Sequence, residues 1–399
     1  MMKSSCLQIL AFLLLFASIA CTSDPEGEEG PNYSKPLPPG ASALELVTEL
    51  AEYPDFRAMW RDRDGVARAL ENSLDYFTKP SSHNFYPSQG FTHERVVQSL
   101  TTMKEILAKA KNEREFSGYC QRAFDVYRSV GWNQNATVLF TAYYQPIFDG
   151  TLEQTDEYRY PLYRLPSDLV KADDGTPLGR QDGETVVGYW TRREIDERQP
   201  FEGQNLEFVW LKSALDAFII HVQGSAQIRL PSGDMHHIGY AGKTEHDYTS
   251  IGKELVADGK FTADELSLAR IRVYFEDHPG ELEEYLNRNE SFVFFTETDG
   301  GGPYGSLGAA VTSYRTIATD KSIFPRGALC AIETRVPQLR GGTLKPKEFH
   351  ALVFDQDTGG AIRSAGRCDL FVGTGDEAEQ IAGHTKYEGQ LFYLFVKEK

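Results

Sequence analysis

From residue 291 onward the chain reads as one short strand after another. SFVFFTE, AAVTSYRTIAT, GALCAIETRV, EFHALVFD, CDLFVG and QLFYLFV are rich in β-branched and aromatic residues, with Gly, Pro and Asp turns between them. Strands this short and this regularly interrupted cannot each bury a face alone. They close on one another as a small barrel or pack as a sandwich. No internal repeat of solenoid period accompanies them.

The residues before them are mixed. From 41 to 130 the segments ALELVTELAEY, VARALENSLDYF and ERVVQSLTTMKEILAKAKN carry apolar residues at three- and four-residue intervals, which predicts helices. TVLFTAYY, Thr137–Tyr144, is the first convincing strand, and it runs into QPIFDG. Short strands follow in YRYPLYRLP, ETVVGYW and SAQIRLPSG. A helix is expected near 202–221, and two more over 263–276 and 280–288. The class is mainly β with α, in two or three domains.

The first forty residues belong to neither. Residues 7–20, LQILAFLLLFASIA, form an apolar run after Lys3 that is short of the about 20 residues a membrane span needs. The run ends in small residues directly before Cys21, as a secretory signal does. SIAC resembles the lipobox of bacterial lipoproteins, in which the cysteine carries a lipid, although Ser18 stands where leucine is usual. An ordinary signal peptide with an incidental cysteine is the alternative. The following TSDPEGEEGPNYSKPLPPGAS has almost nothing to bury and reads as a tether. A net charge of −17 argues against nucleic acid or an anionic membrane surface as the main partner. Cys6 lies in the signal, so Cys120, Cys330 and Cys368 remain beside Cys21 and allow at most one disulfide among themselves. No H-x-x-x-H or C-x-x-C pattern occurs, and no metal or other cofactor is expected.

Three aspartates, Asp355, Asp357 and Asp369, stand in FDQDTGGAIRSAGRCDLFVG. D-T-G-G is a plain turn or half of an aspartic protease, but the chain has one D-T-G and no D-S-G, so a single-chain protease would lack its second carboxylate. Asp369 has Cys368, Leu370, Phe371 and Val372 around it. It either caps a strand end or is an acid whose proton is held near neutrality by burial. The 20 Tyr and 4 Trp include Tyr143-Tyr144-Gln145, Tyr158-Arg159-Tyr160, Tyr163-Arg164 and Tyr189-Trp190-Thr191. They pack on cores or line a groove for sugars, whose rings offer apolar faces and whose hydroxyls need hydrogen bonds. Gln223, Ser225 and Lys243 supply such hydrogen-bonding groups, and Tyr144 and Tyr163 are the aromatic candidates.

TAYYQPIFDG, YRYPLYRLP, HVQGSAQIRL, YAGKTEHDYTSIGKEL, SFVFF, RTIATDKSIFPRG and DQDTGGAIRSAGRCDLFVG together resemble the membrane-bound lytic murein transglycosylase A family, in register from about residue 135 onward. The resemblance implies a six-stranded double-psi β-barrel with N-terminal helices over 41–150 and 303–399. A smaller β domain, 151–302, would be inserted into it across a long groove. It implies cleavage of the β-1,4 bond between N-acetylmuramic acid and N-acetylglucosamine in peptidoglycan. Asp369 of D-L-F-V-G would be the catalytic acid, Asp357 an assisting group, and Thr141 a residue within reach of the sugar. The implied partners are glycan strands and a membrane reached only through the lipid on Cys21, with cell-wall enzyme complexes left open. Thr22 after the cysteine favours the outer membrane, facing the periplasm. A wall-binding lipoprotein without activity is the rival reading, and intact Asp369 and Asp357 speak against it. A serine hydrolase or esterase is disfavoured, because no G-x-S-x-G is present.

Overall fold

In the computed structural model of the protein, residues 30–172, 175–262 and 265–398 are described. Cys21 and the apolar run before it lie outside them. Among the described residues no helix is long and apolar enough to cross a membrane.

The first element is a strand, β1 (Leu44–Val47), where the spacing predicts a helix. It pairs antiparallel with β2 (Phe124–Ser129), which buries Leu44 and Val47, and this pairing overrides a weak helical pattern. The expected periodicity does produce α1 (Arg63–Thr78) and α2 (His93–Lys109). Val66, Leu70 and Phe77 on the first, and Val96, Leu100 and Met103 on the second, sink into the main core. Asp62 caps α1 by accepting from Gly65 N–H and also pairs with Arg315, fastening the helix start to the β region. A third helix, α3 (Glu113–Ala123), leads directly into β2.

The next strand, β3 (Val138–Gln145), joins the main sheet, but β4 (Ile147–Thr151) already belongs to another, so the chain changes sheets at Pro146. β5 (Tyr160–Tyr163) joins β4's sheet, while β6 (Leu169–Lys171), β7 (Pro177–Asp182) and β8 (Thr185–Val187) form a small separate one. A capping box of Thr191 and Glu194 opens α4 (Arg192–Arg198). The single helix expected over 202–221 is in fact a strand and a helix, β9 (Glu207–Leu211) and α5 (Ala214–Gln223). Phe208, Val209 and Leu211 are needed to fill the second core, and Ser213 then caps the helix that follows. β10 (Ser225–Arg229) and β11 (Met235–Lys243) come next, then α6 (Ile251–Ala257), α7 (Leu268–Asp277) and α8 (Leu282–Asn287). With β12 (Val293–Glu297) the second sheet is complete, in the order β12-β11-β10-β4-β9-β5.

The closing region holds β13 (Thr316–Ala318), β14 (Leu329–Arg340), β15 (Thr343–Asp357) and β16 (Arg367–Thr374), then α9 (Asp376–Gly383) and β17 (Lys386–Val396). AAVTSYRTIAT contributes only the three residues of β13. Between β14 and β15, Gly341 and Gly342 both take positive φ (56° and 76°), as a two-residue hairpin turn of the primed type requires. The strands run β17-β14-β15-β13-β16-β3, and β3 pairs back onto β17. Six strands therefore close into a barrel, in agreement with the expected fold class, while β2 and β1 extend the sheet from β17. Leu352, Phe354, Leu391 and Phe392 are fully buried in the main core, on the two faces of the barrel wall, each stabilising the fold by roughly 1.5–3 kcal/mol. Cys120, Cys330 and Cys368 are buried free thiols.

Candidate active site

Strand alternation sorts the residues of β16 into two sets. Cys368, Leu370 and Val372 point into the core, so Arg367, Asp369 and Phe371 share the opposite face. β3 runs parallel beside it, with Asp369 opposite Thr141 and Phe371 opposite Tyr143. The Thr141 hydroxyl donates to Asp369 Oδ1 at 2.7 Å, and Arg367 donates to the Thr141 oxygen at 3.3 Å. The rings of Tyr143 and Phe371 lie 5.2 Å apart.

The second carboxylate reaches the same face through an irregularity. Ile317 of β13 pairs with Asp355 of β15, but the next residue, Ala318, pairs with Asp357, so β15 bulges at Gln356. The bulge sends consecutive side chains to separate places. Asp355 turns inward, where Lys321, Thr319 and Tyr393 all bind its carboxylate in a fully buried cluster. Gln356 turns toward the helices, donating to Ala69 O (2.6 Å) and Ser73 Oγ (2.9 Å) and accepting from Thr316 (2.6 Å). Asp357 is left at the open face. Ala318 also pairs with Asp369 on its other side, so the two aspartates flank this small residue, two strand spacings or roughly 9–10 Å apart along the sheet.

Their surroundings differ. Asp357 accepts from Tyr143 OH, Ser306 N–H and Thr358 N–H, each at 2.8 Å. Burial raises its pKa and these three donors oppose the rise. Among the described residues Asp369 has one donor, Thr141. Burial pushes its pKa up to about 6, with Thr141 and Arg367 opposing and the charge of Asp357 adding a little. Both aspartates keep an accessible edge although protein surrounds them on most sides. The arrangement holds a proton near neutrality on Asp369 and surrounds the carboxylate of its neighbour with three protein hydrogen-bond donors.

The remaining candidates are dispersed. Lys243 lies within electrostatic reach of Arg363, in the loop between β15 and β16: its ammonium donates to His246 O (3.1 Å), and burial and the charge of Arg363 lower its pKa. The segment after Lys243 brings Tyr248 against Gly360, an added Cβ on which would lie 3.2 Å from Tyr248 Cβ. Tyr144, one residue out of phase with Thr141, turns into the core and is 2% exposed. Gln223 ends α5 and accepts from the Tyr144 N–H at 3.2 Å, at the junction of the two sheets. Ser225 is buried at the start of β10. Tyr163 packs against Phe201 and Phe292 beside a separate cavity. Tyr143, Arg367 and the Ser306 N–H were not singled out from sequence. Tyr143 was findable, since it lies two residues from Thr141 on a strand and so shares its face. Among the described residues His83, His93 and Glu94 have atoms close enough to hold a metal, but they sit on the helical side, with the imidazoles stacked 3.8 Å apart and His93 bound to Ser82.

Comparison with known proteins finds relatives over most of the chain. Residues 139–296 match the family model described as the MltA specific insert domain, and residues 315–395 match the 3D domain. The chain is 29% identical over 366 residues to the membrane-bound lytic murein transglycosylase A of Vibrio cholerae, covering 88% of this chain and 93% of that protein. Its identity to the Escherichia coli K12 protein of the same name is 28% over 317 residues, covering 79% and 78%. A crystal structure of a membrane-bound lytic murein transglycosylase from Agrobacterium tumefaciens superposes with a TM-score of 0.74 at 26% identity, over 89% of this chain and 98% of that one. The fold is also that of E. coli MltA with bound chitohexaose, with a TM-score of 0.68 at 22% identity over 94% and 100% of the two chains. This chain belongs to the membrane-bound lytic murein transglycosylase A family.

Proposed function

We propose that this protein is a lytic transglycosylase that cleaves the β-1,4 bond between N-acetylmuramic acid and N-acetylglucosamine in peptidoglycan, with Asp369 as acid and then base. The observation that carries this is the enclosed Asp369 carboxyl, whose pKa near 6 keeps a transferable proton at hand. The relatives' name, lytic murein transglycosylase, supplies the substrate class.

Protonated Asp369 donates to the glycosidic oxygen as the bond to C1 breaks. The carboxylate so formed takes the proton of the muramic C6 hydroxyl while that oxygen closes on C1, which gives a 1,6-anhydro end. No protein nucleophile and no activated water are needed, unlike the paired carboxyls of ordinary glycosidases. An attacking group within the substrate draws on large effective concentrations. Thr141 orients Asp369 and Arg367 orients Thr141. Asp357, held by three donors, stabilises positive charge that develops at C1. Lys243 stands at the rim, while Gln223 acts on the groove by holding β3 to α5. Cys21 carries the lipid that holds the enzyme at the outer membrane, and the 303–399 barrel region together with 41–150 faces the inserted 151–302 across the groove.

Digestion of purified peptidoglycan tests the reading. Wild type should release muropeptides about 18 mass units lighter than hydrolysed ones, because ring closure replaces water at C1. Hydrolysed, reducing-ended products would make the protein a hydrolase.

A further inference from the structure

A cavity of about 680 Å³ opens among residues between Gln154 and Phe292 and includes neither aspartate of the active site. Arg192 lies in its wall, 5% exposed, with Phe218 and Phe292 each 4.9 Å from the guanidinium carbon. Its Nε donates to Asn289 O (3.2 Å), and one amino group donates to Ser291 O (3.0 Å) and to His221 Nδ1 (3.1 Å). His221 Nδ1 also accepts from Val293 N–H (3.3 Å), so the imidazole is neutral and carries its proton on Nε2. Among the described residues no carboxylate lies within ion-pair distance of Arg192. Neither its other amino group nor His221 Nε2 makes a hydrogen bond, and neither belongs to the fully enclosed, unpartnered atoms. A buried cation whose direct contacts are carbonyl dipoles, an imidazole and ring faces, with Asp196 acting on it only from beyond ion-pair distance, is an incomplete arrangement.

The same cavity carries the opposite charge. Asp196, one helical turn beyond Arg192, and Glu283 both line it, and among the described residues no hydrogen bond or ion pair engages either carboxylate. Surrounding protein pushes Asp196 up to about 6; Arg192 opposes the rise, while Glu283 and Glu197 add to it. Tyr160 and Trp210 supply aromatic surface on the same wall. The volume lies within the usual range for small-ligand sites.

We propose that this cavity binds a short zwitterionic peptide, with its carboxylate on Arg192 and His221, its ammonium at Asp196 and Glu283, and its backbone along Tyr160 and Trp210. A neutral sugar would leave the arginine and both carboxylates unpaired. The proposal rests on the function proposed above only for the peptide's source: the stem peptides of peptidoglycan carry both charges, as free peptides do.

The probe is acetyl-Ala-Gln-Lys-Ala, which has one ammonium and one carboxylate, titrated calorimetrically into the full chain. Wild type should bind it, and C-terminal amidation, acetylation of the lysine, or Asp196→Asn should each weaken binding at least about tenfold, a typical cost for an unpaired charge at a recognition site. Asp196 is solvent-accessible, so Asp196→Asn removes its charge without breaking any hydrogen bond of the buried arginine. Arg192→Lys, checked for native circular dichroism, tests the carboxylate end by the same loss. No binding at millimolar peptide, or equal binding of the amidated and acetylated forms, overturns the proposal. A several-fold rise in KM for Asp196→Asn on peptide-bearing strands, with none on amidase-stripped strands, supports stem peptides as the source. Unchanged KM on both, with tetrapeptide binding still lost, supports a free peptide. Failure of the transglycosylase reading shows in the product masses and leaves the calorimetry unaffected.

Discussion

Asp369 carries two predictions of opposite sign. Asp369→Asn keeps the size of the side chain and an oxygen for Thr141 but cannot give and recover a proton. Anhydro-product release should fall at least the roughly 10²–10⁴-fold that general acid–base catalysis supplies, as read from muropeptide digests. Stability should move the other way. The folded state binds the Asp369 proton more tightly than the unfolded state does, so this contribution is fully present below about pH 4 and is lost as the pH rises through about 6. Above that, an enclosed anion costs at most roughly 3 kcal/mol, the equivalent of about two pKa units. Asp369→Asn should therefore melt higher than wild type at pH 8 and match it at pH 4. Equal melting at both would mean the carboxyl is no more enclosed than a surface one. Thr141→Val removes the donor that favours the ionised form, so Asp369 should hold its proton to higher pH. The falling limb of the pH–rate profile, expected near pH 6 for wild type, should therefore shift upward in Thr141→Val. An unmoved limb would show that another group sets it.

At the scale of elements, the site depends on the bulge in β15 and on the loop that faces it. Gly305 packs so closely that an added Cβ would stand 2.7 Å from Gln356 O and 3.2 Å from Asp357 Cγ. Gly305→Ala should pull the Ser306 N–H off Asp357 and lower kcat about tenfold, roughly the value of one charged hydrogen bond, with a lower melting temperature from the backbone clash. Retained kcat would show that the loop does not position Asp357. The same bulge limits what the sequence reveals. The enclosure of Asp369 was legible from its apolar neighbours Cys368, Leu370, Phe371 and Val372, while its proposed role came only from the family resemblance. Asp355 and Asp357 share one strand parity, yet one is a buried partner of Lys321 and the other faces the groove, and only the register shift separates them. Tyr144 was favoured over Tyr143 because the pairing that fixes which face of β3 looks at the aspartates is made with β16, more than two hundred residues away. β1 and β9 were missed for a related reason: segments of four or five residues take their conformation from a partner strand, whereas α1 and α2 are long enough for their own periodicity to decide.

At the scale of the whole molecule, the segment between Cys21 and the folded body is shorter than composition suggests. Tyr33 already donates to Glu388 (2.7 Å) and sets its ring 5.8 Å from that of Trp132, and Ser364 donates to the Lys35 carbonyl. The chain is thus fixed to the barrel from about residue 33, beside the loop that leads into β16, and not from residue 41. Whatever conformation residues 22–32 adopt, they separate a lipid on Cys21 from the barrel by at most roughly 40 Å of extended chain. The anchor would then set how far the catalytic strand can move from the membrane, while contributing nothing to its chemistry. Cys21→Ser should consequently move the protein from the membrane to the soluble fraction and leave the purified enzyme's release of anhydro products within about twofold of wild type, as expected for a change remote from the site. Fractionation that finds the variant still membrane-bound at the wild-type level would refute lipid anchoring at Cys21. Soluble protein with its activity lost would show that the segment around Cys21 takes part in building the site.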